Sequence, residues 1–186
     1  MTAQVMEKLI FNGKEVYMAS EPLACYLSNL KEKPHFFPFL SACWRGYIGT
    51  WEIKDDKLYL IGVESNGAIL KNKQEPWRTG VDYIFPNQHE VFAEWFTGVV
   101  RIPQGDMLDY VHGGYESTFE SDLFLEFKNG KLIGQRIVDN ILEAAKDLIN
   151  RKREIVLEKE ITPAKEIIRK KKSIITRILY LLKKKK

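Results

Sequence analysis

The dipeptides Asn12-Gly13 and Asn129-Gly130 each stand between short apolar runs, and they constrain this chain more than any other feature. Asn-Gly accepts positive φ at both positions, which is what a two-residue type I′ hairpin turn demands. Lys8–Phe11 and Glu15–Met18 are therefore expected to pair as one hairpin, and Leu123–Phe127 and Leu132–Ile137 as another. A third is expected where Gly46–Ile53 and Leu58–Val63 flank the polar stretch Lys54–Lys57.

Further strands are expected at Asp82–Phe85, at Glu90–Ile102 with a bend at Gly98, and near Leu108–Val111, with Pro103-Gln104-Gly105 turning the chain between the last two. Leu23–Leu30 reads as a short helix and residues 64–80 as a long loop or flap. Short strands at this spacing predict a mainly β fold, an antiparallel barrel-like body or a sandwich, followed by C-terminal α-helices. Aromatic residues lie mostly between Phe36 and Phe127, which assigns them to that body's core.

The period changes near Val138. Ile141, Leu142, Ala145, Leu148 and Ile149 follow a helical stripe. Thr162-Pro163 is a second helix start, a capping hydroxyl followed by proline at the first helical position. The organisation expected is a β-rich domain over 1–137 and a helical tail over 138–186. The tail ends in a basic amphipathic helix whose apolar stripe centres on Ile168, Ile175, Ile178 and Leu182. Residues 151–186 hold 14 Lys or Arg against 4 Glu, so the net charge of +4 divides into +10 there and −6 in the rest. Such a helix suits a protein partner or self-association. An anionic membrane surface also fits, and nucleic acid fits less well, because phosphate contacts alone leave the Ile/Leu stripe unexplained.

No apolar run behind a basic start opens the chain, and no run is long enough to span a bilayer as a helix. A cytoplasmic protein is expected, peripheral to a membrane if the tail docks there. Cys25 and Cys43 then remain reduced and behave as small buried hydrophobes. His35, His89 and His112 are scattered, so no metal site is expected. Neither a phosphate-binding glycine loop nor a nucleophile elbow is present, and no cofactor is implied.

Three polar-aromatic clusters remain. Trp44-Arg45-Gly46-Tyr47, with Trp51, places Arg45, Tyr47, Gly49 and Trp51 on one face of a strand, suited to stacking on a ligand and pairing with an anion. Tyr110-Val111-His112-Gly113-Gly114-Tyr115-Glu116-Ser117 offers His112 and Glu116 as a weak acid/base pair beside Tyr115. In Glu94-Trp95-Phe96-Thr97-Gly98, Glu94 is expected to pair with Arg45 or Arg101. The expected ligand-binding set is Arg45, Tyr47, Trp51, Arg101, His112 and Tyr115, lining one pocket for a small polar or anionic ligand.

Trp44–Ile53, Trp95–Gly98 and Tyr110–Tyr115 together resemble a family of uncharacterised small bacterial β-rich proteins of the kind carried by mobile elements. The resemblance spans roughly residues 40–135, implies a shared aromatic-glycine framework, and carries no activity over. The function expected is a ligand-binding or protein-interaction module with a barrel-like pocket and a docking helix. One alternative is an enzyme on a nucleotide-like or other anionic substrate, using His112 and Glu116 with Arg45 and Arg101. Another is a membrane-surface protein tethered by its tail.

Overall fold

A computed structural model describes residues 2–38, 40–70, 73–75, 78–153 and 172. The chain is mainly β. Its strands are β1 (Glu7–Phe11), β2 (Lys14–Met18), β3 (His35–Phe36), β4 (Tyr47–Lys54), β5 (Lys57–Ser65), β6 (Ala68–Leu70), β7 (Lys73–Glu75), β8 (Arg78–Thr79), β9 (Val91–Phe92), β10 (Gly98–Asp109), β11 (Thr118–Lys128) and β12 (Lys131–Asp139). One helix, α1 (Pro22–Ser28), follows β2, with proline in its first turn where the missing N–H costs nothing.

The three turn signals form tight hairpins. Asn12 and Gly13, Asp55 and Asp56, and Asn129 and Gly130 all have positive φ, between 47° and 74°. They join β1 to β2, β4 to β5 and β11 to β12 in antiparallel register. β1 also pairs with β4 in parallel, Leu9 opposite Trp51, so the sheet is mixed rather than purely antiparallel. The nine-stranded sheet runs β10-β11-β12-β5-β4-β1-β2, with β8 and β9 also on β5, and β3-β6-β7 form a second sheet. Residues 64–80, expected as a loop, therefore contain strands, and β6 and β7 pair as a hairpin. Asp82–Phe85, expected as a strand, instead overlaps a 3-10 helix, Val81–Tyr83.

The expected barrel is corrected to a curled, open sheet. Its outer strands β2 and β10 approach at one end, where the Ala19 N–H donates to the Arg101 carbonyl at 2.8 Å. Continuing that antiparallel register would bring Tyr17 opposite Pro103. Proline has no N–H to give, so the ladder stops there. Beyond it β10 bulges between Gln104 and Met107, with Gly105 at φ 77°. Pro103-Gln104-Gly105 is thus no turn. β10 passes straight through it on an outer edge, where a proline is tolerated.

Leu9, Met18, Leu23, Trp51, Leu60, Val100, Leu125 and Phe127 form the centre of the core. Cys43 is buried, whereas Cys25 is exposed, contrary to the expectation for it, and neither forms a disulfide. The chain divides into two compact units, Met1–Asn140 and Ile141–Lys186. In the second unit residues 141–153 are helical and exposed, with Lys146 and Glu143 paired at 2.8 Å. Ile168, Ile175, Ile178 and Leu182 lie outside the described residues. Among the described residues no helix is long and apolar enough to cross a membrane.

Candidate functional site

The EKLIF sequence of β1 puts Glu7 on the inward side with Leu9, and β4 puts Tyr47, Gly49 and Trp51 on its buried side. The parallel β1–β4 pairing brings these two faces together. Glu7 is 0% exposed, and its Oε2 accepts from Trp51 Nε1 at 2.6 Å. Gly49 is required here, because a Cβ on it would lie 2.5 Å from Glu7 Oε2 and 2.6 Å from Trp51 Nε1.

Arg45, in the turn that leads into β4, closes the cluster with a side chain only 7% exposed. Its Nε lies 3.2 Å from Glu7 Oε1. The contact is ionic rather than a formed hydrogen bond, since both atoms are buried without a hydrogen-bond partner. Its Nη1 donates to Tyr115 Oη at 3.0 Å and lies 3.4 Å from Glu21 Oε1, while Nη2 donates to the Val5 carbonyl at 2.9 Å. The Tyr115 phenol has one proton and two acceptors in reach, Glu21 Oε1 at 2.8 Å and Val5 O at 3.2 Å, and the nearer takes it. The Arg45 guanidinium also lies 5.6 Å from the Tyr47 ring centroid, and Tyr47 Oη is buried without a hydrogen-bond partner.

Burial raises the Glu7 carboxyl from 4.5 to about 7, against the opposing pull of Arg45 and of the Trp51 hydrogen bond. The Tyr47 phenol is held well above its ordinary range by burial and then by the Glu7 and Glu21 carboxylates. Tyr115 is raised too, by burial first, with Arg45 pulling the other way and Glu21 adding to the rise. Burial alone would lower Arg45, but Glu7, Tyr115, Cys43 and Glu21 outweigh it and fix the positive charge.

Arg101 builds a second, adjoining cluster. Nε donates to Asp122 Oδ1 at 2.7 Å, Nη1 to the Tyr115 carbonyl at 2.7 Å and Nη2 to the Ser117 carbonyl at 2.9 Å. Asn140 Nδ2 holds the other Asp122 oxygen at 2.9 Å. Glu94, the expected partner of an arginine, is exposed; Glu7 and Asp122 take those roles. The inward period-2 position of Glu7 beside Leu9 was the available signal for it.

Of the expected set, Arg45, Tyr47, Trp51 and Tyr115 therefore meet, and Arg101 joins them through the Tyr115 backbone. His112 does not: it is exposed, with Nδ1 3.2 Å from Tyr110 Oη. Glu116 is also exposed. Both Nη atoms of Arg45 and all three Arg101 nitrogens face acceptors of the protein itself. Among the described residues no cluster of His, Cys, Asp and Glu could hold a metal.

An accessible concavity lies beside this network. Met6, Val16, Tyr17, Pro103 and Phe119 line an apolar groove of about 550 Å³. Its walls come from Met6 just ahead of β1, from β2 and from β10–β11, so it is the seam where the sheet fails to close. Met6 stands between Val5, held by Arg45, and Glu7, held by Trp51. Pro103 stands opposite Asp122, which Arg101 holds. The polar clusters thus brace both lips of an apolar groove. Comparison with protein-family models, curated proteins and solved structures finds no match.

Proposed function

We propose that this protein is a protein-interaction module whose open seam accepts an extended apolar segment of a partner. The observation that carries the reading is the groove between Tyr17 and Pro103, flanked by two outer strands that do not pair with each other beyond Ala19–Arg101. A strand laid between them would hydrogen-bond along an edge and bury alternate side chains in the groove. Asp106 and Asp109 are exposed on the β10 lip beside Met107 and Leu108, so a segment alternating aliphatic and basic residues fits best. Arg45, Tyr47, Trp51, Arg101 and Tyr115 act in this reading as the brace that keeps the lips apart.

The enzyme reading with His112 and Glu116 draws no comparable support, since those side chains face solvent away from both arginines' donors. The test is a heteronuclear NMR titration with short synthetic peptides that alternate valine with lysine or valine with glutamate. Amides of Val16, Tyr17 and Gln104–Asp109 should shift with the lysine series, and Asp106→Lys with Asp109→Lys should abolish the shifts. Shifts spread over His112–Glu116 instead, or none with either series, would reject the reading.

A further inference from the structure

The β10–β11–β12 meander turns Leu123, Leu125 and Phe127 into the core, so Phe124 and Glu126 stand on its other face. The register sets Arg101 and Arg136 on either side of Phe124 in one row. Arg101 gives its donors to Asp122 and to two carbonyls. Arg136 does not. Its guanidinium lies over the Phe124 ring, 4.1 Å from the centroid, and has no hydrogen-bond or ion-pair partner among the described residues. A guanidinium stacked on a ring keeps five N–H donors at its edge, with their plane fixed before any ligand arrives. Glu126, diagonal to Arg136 on the same face, is likewise without a partner among the described residues.

These two opposite charges line one notch of about 150 Å³, together with Val99, Phe124, Gly134 and Gln135. Long side chains at diagonal cross-strand positions are within reach of each other. Here the ring holds Arg136, and the space between the charges stays open. Gly134 keeps it open. A glycine inside a strand weakens it unless the backbone or a close approach demands one. Gly134 has no positive φ, and an added Cβ would find its nearest atom, Glu126 Oε2, at an ordinary 3.7 Å. The bulge beside it, at Ile133, requires no glycine at this φ. The missing side chain thus serves the notch rather than the fold. We infer that the notch is a binding site for a free α-amino acid with an aliphatic side chain: Arg136 takes the carboxylate, Glu126 the ammonium, and Val99 and Phe124 the side chain. A residue at a peptide terminus carries only one of those two charges, so the pair selects the free zwitterion. The site is independent of the seam groove, which other residues line.

The test uses the full chain and L-leucine as the probe, followed by heteronuclear NMR. Exposed charge pairs contribute little each, so a Kd on the order of millimolar is expected. Amides of Val99, Phe124, Glu126, Gly134 and Arg136 should shift together and saturate. N-acetyl-L-leucine lacks the ammonium and L-leucinamide lacks the carboxylate, and each should bind about tenfold more weakly. Arg136→Gln should abolish the shifts. Glu126→Gln should erase the preference for L-leucine over N-acetyl-L-leucine. Gly134→Ala separates binding from folding. The backbone and the space around it accept a methyl group, so the melting temperature should hold or rise, while the filled notch binds L-leucine several-fold more weakly. No saturable shift with L-leucine overturns the inference. So does N-acetyl-L-leucine bound as tightly as L-leucine, which makes the notch a plain anion site, and so does a Gly134→Ala chain that binds undiminished.

Discussion

Arg45 and Tyr115 are 70 residues apart in sequence and 3.0 Å apart in space, Nη1 to Oη. The same tyrosine gives its carbonyl to Arg101, so one residue couples two charge clusters through different atoms. The two halves of the contact differ in what their loss exposes. Well above pH 7, where Glu7 is ionised, Arg45→Ala strands the buried carboxylate without a counter-charge and should cost about 3–5 kcal/mol. Tyr115→Phe removes a neutral hydroxyl and should cost about 1–1.5 kcal/mol. Urea denaturation of the two variants checks the order, and equal losses would mean that Glu7 carries no charge in need of Arg45.

Stability should depend on the Glu7 proton. Its carboxyl titrates at about 7 when folded, against 4.5 when solvated. The folded chain therefore holds this proton more tightly, and the resulting stabilisation is complete below about 4.5 and is lost as pH rises through about 7. The displacement corresponds to on the order of 3 kcal/mol. Glu7→Gln keeps an acceptor for the Trp51 indole and cannot titrate. The stability difference between wild type and Glu7→Gln should fall across this window when both are unfolded at a series of pH values; parallel curves would contradict it.

Arg101→Lys should loosen the segment from Tyr110 to Ser117. Three donors in a planar fork reach Asp122, Tyr115 and Ser117, and an ammonium cannot span all three. Hydrogen exchange in that segment should speed up by an order of magnitude or more, while amides in β4 and β5 keep their protection.

Two glycines of the same dipeptide should respond unequally to alanine. Gly13 has φ 71° and nothing within 4 Å of a new Cβ, so Gly13→Ala should cost about 1–2 kcal/mol of left-handed strain. Gly130 has φ 74°, and its Cβ would lie 2.5 Å from the Ala93 carbonyl oxygen. Gly130→Ala adds that clash to the strain and should lower the melting temperature distinctly further than Gly13→Ala does.

The same turns show what local chemistry makes legible. Asn12-Gly13 and Asn129-Gly130 specify their hairpins because the required φ values are intrinsic to those residues. The alternation of Tyr47, Gly49 and Trp51 likewise reports a buried face directly. Closure of the sheet was not legible, because it depends on where Ala19 meets Arg101, and a proline that reads locally as a turn is acceptable on an outer strand. The partner of Arg45 is hidden from the sequence for a related reason. Glu94 is surrounded by aromatics in sequence, whereas Glu7 reaches Arg45 only through the parallel pairing of β1 with β4, which no neighbouring residue announces.

That parallel pairing also dictates an order of events during synthesis. The β1–β2 hairpin leaves the ribosome first, yet the other side of β1 has no partner until Tyr47–Lys54 emerges, and Ala19 waits longer still for Arg101. At about 5–20 residues per second the nascent hairpin carries its uncovered Glu7 face for several seconds. The β10–β11–β12 meander emerges last and as one contiguous piece, with one of its two turns a tight hairpin, so it can zip without delay. The nascent chain is therefore most open to chaperone capture or misassembly at its N-terminal strands, and translation speed over residues 12–54 sets how long that exposure lasts.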